Sequence, residues 1–94
     1  MSQMLQDVHD NTSLSRYEMK TNGDTAFATY RREGDTLFIL HVETPPALRG
    51  QGVAAKVMSG ALELIRRDGL KVVPVCSYAE AFLARHSEYS DLKP

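Results

Sequence analysis

Between Phe38 and Val53 the chain reads Phe-Ile-Leu-His-Val-Glu-Thr-Pro-Pro-Ala-Leu-Arg-Gly-Gln-Gly-Val, and the character of the sequence changes within it. The apolar run Thr36 to Val42 has the composition of a strand. Pro45-Pro46 stiffens the connection, and Arg49-Gly50-Gln51-Gly52 opens a pattern with helical spacing. The expected order is strand, glycine turn, helix. Glycines at such a junction let backbone approach a ligand, and a helix start presents unpaired N–H groups with partial positive charge, which together make a socket for a phosphate. A short Gly-x-Gly also serves any tight strand-to-helix turn.

Elements on both sides extend this unit. Tyr17 and Met19 alternate with Arg16, Glu18 and Lys20, the period of a half-buried strand with the charged residues toward water. Asn22-Gly23 marks a hairpin, Asp24 to Arg32 supplies the partner strand, and Glu33-Gly34-Asp35 turns into Thr36 to Val42, giving an antiparallel meander. Leu5 to His9 reads as a short edge strand and Asp10 to Ser13 as a turn. From Val53 a helix is expected with Ala54, Val57, Met58, Ala61, Leu62 and Ile65 on one face and Gly69 after its last turn. Lys71 to Cys76 follows as a covered strand, parallel to the central one by a right-handed crossover. Pro74 removes a ladder donor on one side there, so the sheet should be edge-like, bulged or splayed at that point. Tyr78 to His86 reads as a second helix, with Tyr78 and Phe82, and after them Leu83 and Tyr89, as candidates for packing inward. The fold class is α/β, a mixed four- or five-stranded sheet with two helices.

At 94 residues the sequence suits one small domain spanning 1–94. A formal net charge of -1 with interspersed signs argues against nucleic acid. No apolar run reaches membrane-spanning length, the amino terminus lacks a signal-type pattern, and a single cysteine, Cys76, suits a reducing compartment; a soluble cytoplasmic protein is expected.

The two parallel strands run toward one edge, where ligands of open α/β sheets bind. His41 and Glu43 at the end of one strand and Cys76, Ser77 and Tyr78 after the other should meet beside the helix start. Cys76 is a candidate nucleophile or a small buried hydrophobe; His41 a candidate base or a structural histidine; Glu43 a candidate base or a rim charge; Tyr78 a proton donor or a packing residue. His9, His41, His86 and Cys76 show no metal-ligand spacing.

The motif Arg49-Gly50-Gln51-Gly52-Val53-Ala54 resembles the Arg/Gln-x-x-Gly-x-Gly/Ala motif of the GNAT superfamily of acetyl-coenzyme A-dependent N-acetyltransferases. His41-Val42-Glu43-Thr44-Pro45-Pro46, Pro74-Val75-Cys76-Ser77-Tyr78 and Arg85-His86-Ser87-Glu88-Tyr89 are similar to segments of short, single-domain GNAT-like proteins. The resemblance runs from Arg16 to Leu92. It implies that backbone around Leu48, Arg49, Gly50, Gln51, Gly52, Val53 and Ala54 holds the coenzyme pyrophosphate, that main chain at Val42 pairs with the pantetheine arm, and that the thioester emerges near His41, Glu43 and Cys76. Acetyl-coenzyme A is then the cosubstrate, an amine the acceptor, and the acetyl group passes either directly or through Cys76. The alternative is a module that binds acetyl-coenzyme A without turnover. Two departures stand out. Lys20 connects to Asp24 with no room for the helices that larger members carry, so the acceptor site must be open, small or completed by a second subunit in a homodimer. Phe82 is followed by Leu83 rather than the tyrosine many members use as general acid, so that role is vacant or moves to Tyr78.

Overall fold

The computed structural model describes residues 8–21 and 23–94. Five strands lie in chain order across one sheet: β1 (Val8–Asn11), β2 (Arg16–Thr21), β3 (Asp24–Glu33), β4 (Thr36–Glu43) and β5 (Lys71–Pro74). The first four pair antiparallel and β4 pairs parallel with β5. Helix α1 (Val53–Arg67) makes the crossover, and α2 (Ser77–Arg85) follows β5. Short 3₁₀ segments occupy Pro46–Leu48 and Ser87–Leu92.

This is the α/β mixed sheet expected from the sequence. Tyr17 and Met19, Ala26 and Ala28, Leu37 and Ile39, and Val72 form the buried face of four adjacent strands. They belong to one core with Val57, Met58, Ala61, Leu62 and Ile65 of α1, the 3.6-residue stripe of that helix. Arg66 and Arg67 in the last turn complement the helix dipole. Arg66 also donates to Asp91 at 2.7 Å and to the Glu88 carbonyl at 2.8 Å, fastening the final 3₁₀ segment to α1.

Several boundaries differ from the sequence reading. The first strand is Val8–Asn11, so Asp10 and Asn11 pair rather than turn and the reversal falls at residues 12–15; residues 5–7 and Asn22 lie outside the described residues. Thr21 pairs with Asp24, which closes β2 and β3 as a tight hairpin. β5 stops at Pro74 instead of Cys76, because the Ile39 carbonyl accepts from both Val75 N–H at 2.9 Å and Cys76 N–H at 3.3 Å and the ladder ends there. Cys76 becomes the N-cap of α2, its Sγ accepting from Ala79 N–H at 3.4 Å.

Glu18 departs most clearly from expectation. It lies on the face away from α1, as alternation requires, yet it is only 4% exposed. Register sets His9 on one side of it and Phe27 on the other, and the Arg16 guanidinium stacks over Phe27 at 4.2 Å while donating to the Glu18 carboxylate. Asn11 donates to it at 3.1 Å and His9 lies 3.3 Å away. Burial alone would raise its pKa, but hydrogen bonds from Arg16 and Asn11, with the charges of Arg16 and His9, outweigh burial and hold the carboxyl below its ordinary 4.5. A depressed folded pKa contributes stability that is present above the unfolded value and is lost as pH falls through the folded one. Denaturant titrations of Glu18→Gln are therefore expected to show lower stability than the parent at pH 7, with the difference shrinking below pH 4.

Candidate functional site

A one-residue bulge in β4 decides where its chemistry points. His41 pairs with Thr29 but Ile39 pairs with Tyr30, leaving Leu40 as the extra residue. Uninterrupted alternation would carry the buried face of Leu37 and Ile39 on to His41 and Glu43. After the bulge, Val42 instead shares the core face with its partner Ala28, while His41 and Glu43 stand on the outer face opposite Thr29 and Phe27. His41 Nε2 donates to Glu43 Oε1 at 2.8 Å, and the two side chains are 61% and 43% exposed. In the neutral imidazole, the tautomer with the hydrogen on Nε2 leaves a lone pair at Nδ1.

The parallel pairing of β4 with β5 ends at Ile39 and Pro74, so residues 40–43 of β4 continue past the end of β5. β5 is the edge strand and Val75, not Pro74, donates to β4, so the donor that Pro74 lacks faces the open edge of the sheet. Cys76 is half-buried just past the end of the ladder, its N–H on the Ile39 carbonyl two residues before His41.

Beyond β4 the connection leads into a groove of about 190 Å³. Thr44 and Leu48 supply one wall; Arg49, Gly50, Gly52, Val53, Ala54 and Ala55 form the turn and helix start; Tyr78 of α2 closes the other side. Gly50 and Gly52 hold φ of 80° and 73°, a region that disfavours side chains, and Gly52 is the N-cap of α1. No side chain caps that helix start and no acidic residue lies in its first turn, so its N–H groups and positive dipole end face the groove. Whole small-molecule sites occupy roughly 300–1,000 Å³, so this groove fits a segment of a larger ligand. Gln51 turns away, donating to the Ala47 carbonyl at 3.0 Å, and Arg49 Nε donates to the Thr44 carbonyl at 3.1 Å, bracing the connection.

Tyr78 does not pack inward as its helical spacing suggested. It is 40% exposed, and the buried stripe of α2 is Ala79, Phe82 and Leu83. Burial against the groove still pushes the Tyr78 hydroxyl up, with Arg85 opposing. His86 stacks on Phe82 at 3.9 Å between ring centres and donates from Nδ1 to the Phe82 carbonyl at 2.8 Å, capping α2. Thr44 and Ala55, which line the groove, carried no sequence signal beyond their closeness to the glycine turn.

A family model described as GCN5-related N-acetyl-transferase matches residues 16–92. The chain belongs to this family. Among curated relatives of this N-acetyltransferase-like chain, Protein NATD1 of Xenopus tropicalis is 27% identical over 79 residues, which cover 81% of this chain and 72% of the relative. The solution structure of a GCN5-like protein from Staphylococcus aureus superposes with a TM-score of 0.71 at 26% identity, covering 100% of this chain and 91% of the other. That likeness runs over the full length of the chain, and members of the family generally use acetyl-coenzyme A. The hairpin at Thr21 and Asp24 leaves no space for helices between β2 and β3, so the outer face bearing His41 and Glu43 receives no cover from that connection.

Proposed function

We propose that this protein binds acetyl-coenzyme A and transfers its acetyl group to an amine. The observation that carries this reading is the uncapped start of α1 opening into a groove that leads to the free stretch of β4. N–H groups of the Gly50–Ala54 segment would hold the pyrophosphate, with the two left-handed glycines giving close approach and Arg49 flanking it. Main chain at Val42 would pair with the pantetheine arm in the way an added strand does.

The coenzyme supplies an acetyl group activated as a thioester. His41 takes a proton from the acceptor amine at Nδ1, with Glu43 fixing the tautomer through Nε2. A bond forms between the amine nitrogen and the acetyl carbon as the carbon–sulfur bond breaks, and the sulfur leaves with the electron pair. Tyr78, kept protonated by burial, is the donor for that sulfur. Direct transfer is preferred over an acetyl-cysteine route because, among the described residues, no imidazole or carboxylate hydrogen-bonds the Cys76 sulfur, whose partner is the Ala79 N–H. The lone cysteine and the reducing environment it suits fit a cytoplasmic location, and among the described residues no helix is long and apolar enough to cross a membrane.

The test is a coupled assay of thiol release from acetyl-coenzyme A with amine acceptors, alongside intact-mass analysis. His41→Ala is expected to lower transfer about 100-fold, the usual weight of a general base, while the coenzyme still raises the unfolding temperature. Cys76→Ser, which retains a capping atom, is expected to stay active and to acquire no acetyl adduct. An adduct on the parent that disappears in Cys76→Ser together with activity would replace direct transfer by the cysteine route. Binding without turnover on any amine would leave a coenzyme-binding module.

A further inference from the structure

We infer that the acceptor is a lysine side chain carried on a polypeptide with an apolar neighbour, and that Leu40 and Val75 form the lip that recognises this neighbour; the inference rests on the transfer reaction proposed above. Leu14, Leu40, Val75 and Tyr78 are the large apolar residues exposed among the described residues, and Leu40 and Val75 stand together at the end of the β4–β5 ladder. The bond from Val75 N–H to the Ile39 carbonyl places Val75, 56% exposed, beside the bulge at Leu40, 36% exposed. One residue on from Leu40 begins the His41–Glu43 pair. An apolar lip around a polar pair is the arrangement of a small protein-binding patch, with an anchor contact next to a polar group that fixes orientation.

Exposure argues against a small free amine. Pockets for small molecules bury about 70–90% of the ligand's surface. His41 and Glu43 are too open to do so, and an acceptor held there must bring its own surface. The Glu43 carboxylate complements an ammonium as it arrives, and the four-carbon stem of lysine lets the nitrogen reach His41 while the backbone stays on the lip. The bulge is the device that joins these features, since it turns His41 and Glu43 to the outer face on which Leu40 already stands.

The experiment compares three acceptors at saturating acetyl-coenzyme A: acetyl-Gly-Leu-Lys-Leu-Gly-amide, acetyl-Gly-Gly-Lys-Gly-Gly-amide and spermidine. The leucine-flanked peptide is expected to exceed both others in kcat/KM by about tenfold, the scale of one apolar contact. In Leu40→Ser/Val75→Ser, shown to be folded by its thermal transition, the ratio between the two peptides should fall to about one. Equal rates on both peptides, a preference for spermidine, transfer to none of the three despite coenzyme binding, or a peptide ratio unchanged in the double variant would each overturn the inference. Failure of coenzyme A to shift the unfolding temperature of the parent would remove the transfer reaction itself, and the acceptor inference with it.

Discussion

Gly60→Ala is expected to lower stability by about 2 kcal/mol, the reverse of what helix propensity alone gives. In the interior of an exposed helix alanine gains about 1 kcal/mol over glycine. Here a Cβ at Gly60 would stand 2.5 Å from Val8 Cγ2 and 2.6 Å from Val8 Cβ. A Cβ cannot rotate out of the way, and Val8 is fixed by its pairing with Met19 and is only 3% exposed. Either α1 or β1 must shift, and overpacking of this kind costs about 1–3 kcal/mol or more. For a chain of this size the net loss corresponds to a fall of roughly 10 °C in the unfolding midpoint. Repeating the substitution in a Val8→Gly background separates the two terms: there alanine should be neutral or stabilising. An alanine that stabilises the parent would show that α1 does not lie against β1 as described.

Gly60 also illustrates what the sequence did not disclose. The helical stripe of Val57, Met58, Ala61, Leu62 and Ile65 was legible from spacing, and so was the strand-turn-helix unit, because local periodicity fixes both. The need for glycine at position 60 depends on where β1 lands, a tertiary fact with no local signature. The same holds for Glu18. Alternation put it on the correct face, but its burial comes from Arg16 lying across Phe27 and from Asn11 and His9 on the next strand. At the site, the glycine motif announced the turn, and Pro74 announced the sheet edge. The bulge at Leu40 was silent, since no glycine or proline marks it, and it alone moves His41 and Glu43 to the outer face. Cys76 was read as the end of a strand because apolar composition continues to it. The ladder instead stops where the Ile39 carbonyl takes the N–H groups of both Val75 and Cys76, and the sulfur takes up a capping role that composition cannot express.

Gly52→Val should abolish coenzyme binding while leaving a folded protein, and Gly34→Val supplies the matched control. Both glycines have positive φ, 73° and 63°, and open space around the position of an added Cβ. Each substitution therefore meets the same backbone penalty, at least about 1–2 kcal/mol for an L side chain in the left-handed region. What differs is location. Gly34 lies in the turn between β3 and β4, whereas Gly52 caps α1 at the groove. A valine there either projects into the space the phosphate needs or rotates the turn, and the N–H groups of the first helical turn then no longer converge. Thermal unfolding with and without coenzyme A measures both effects. A ligand at 100 times its dissociation constant stabilises the folded state by about 2.7 kcal/mol, so loss of binding is readily seen. Both variants should melt below the parent; Gly34→Val should keep the full ligand-induced rise and Gly52→Val should lose it. Equal ligand-induced rises in the two variants would mean that the start of α1 takes no part in holding the coenzyme.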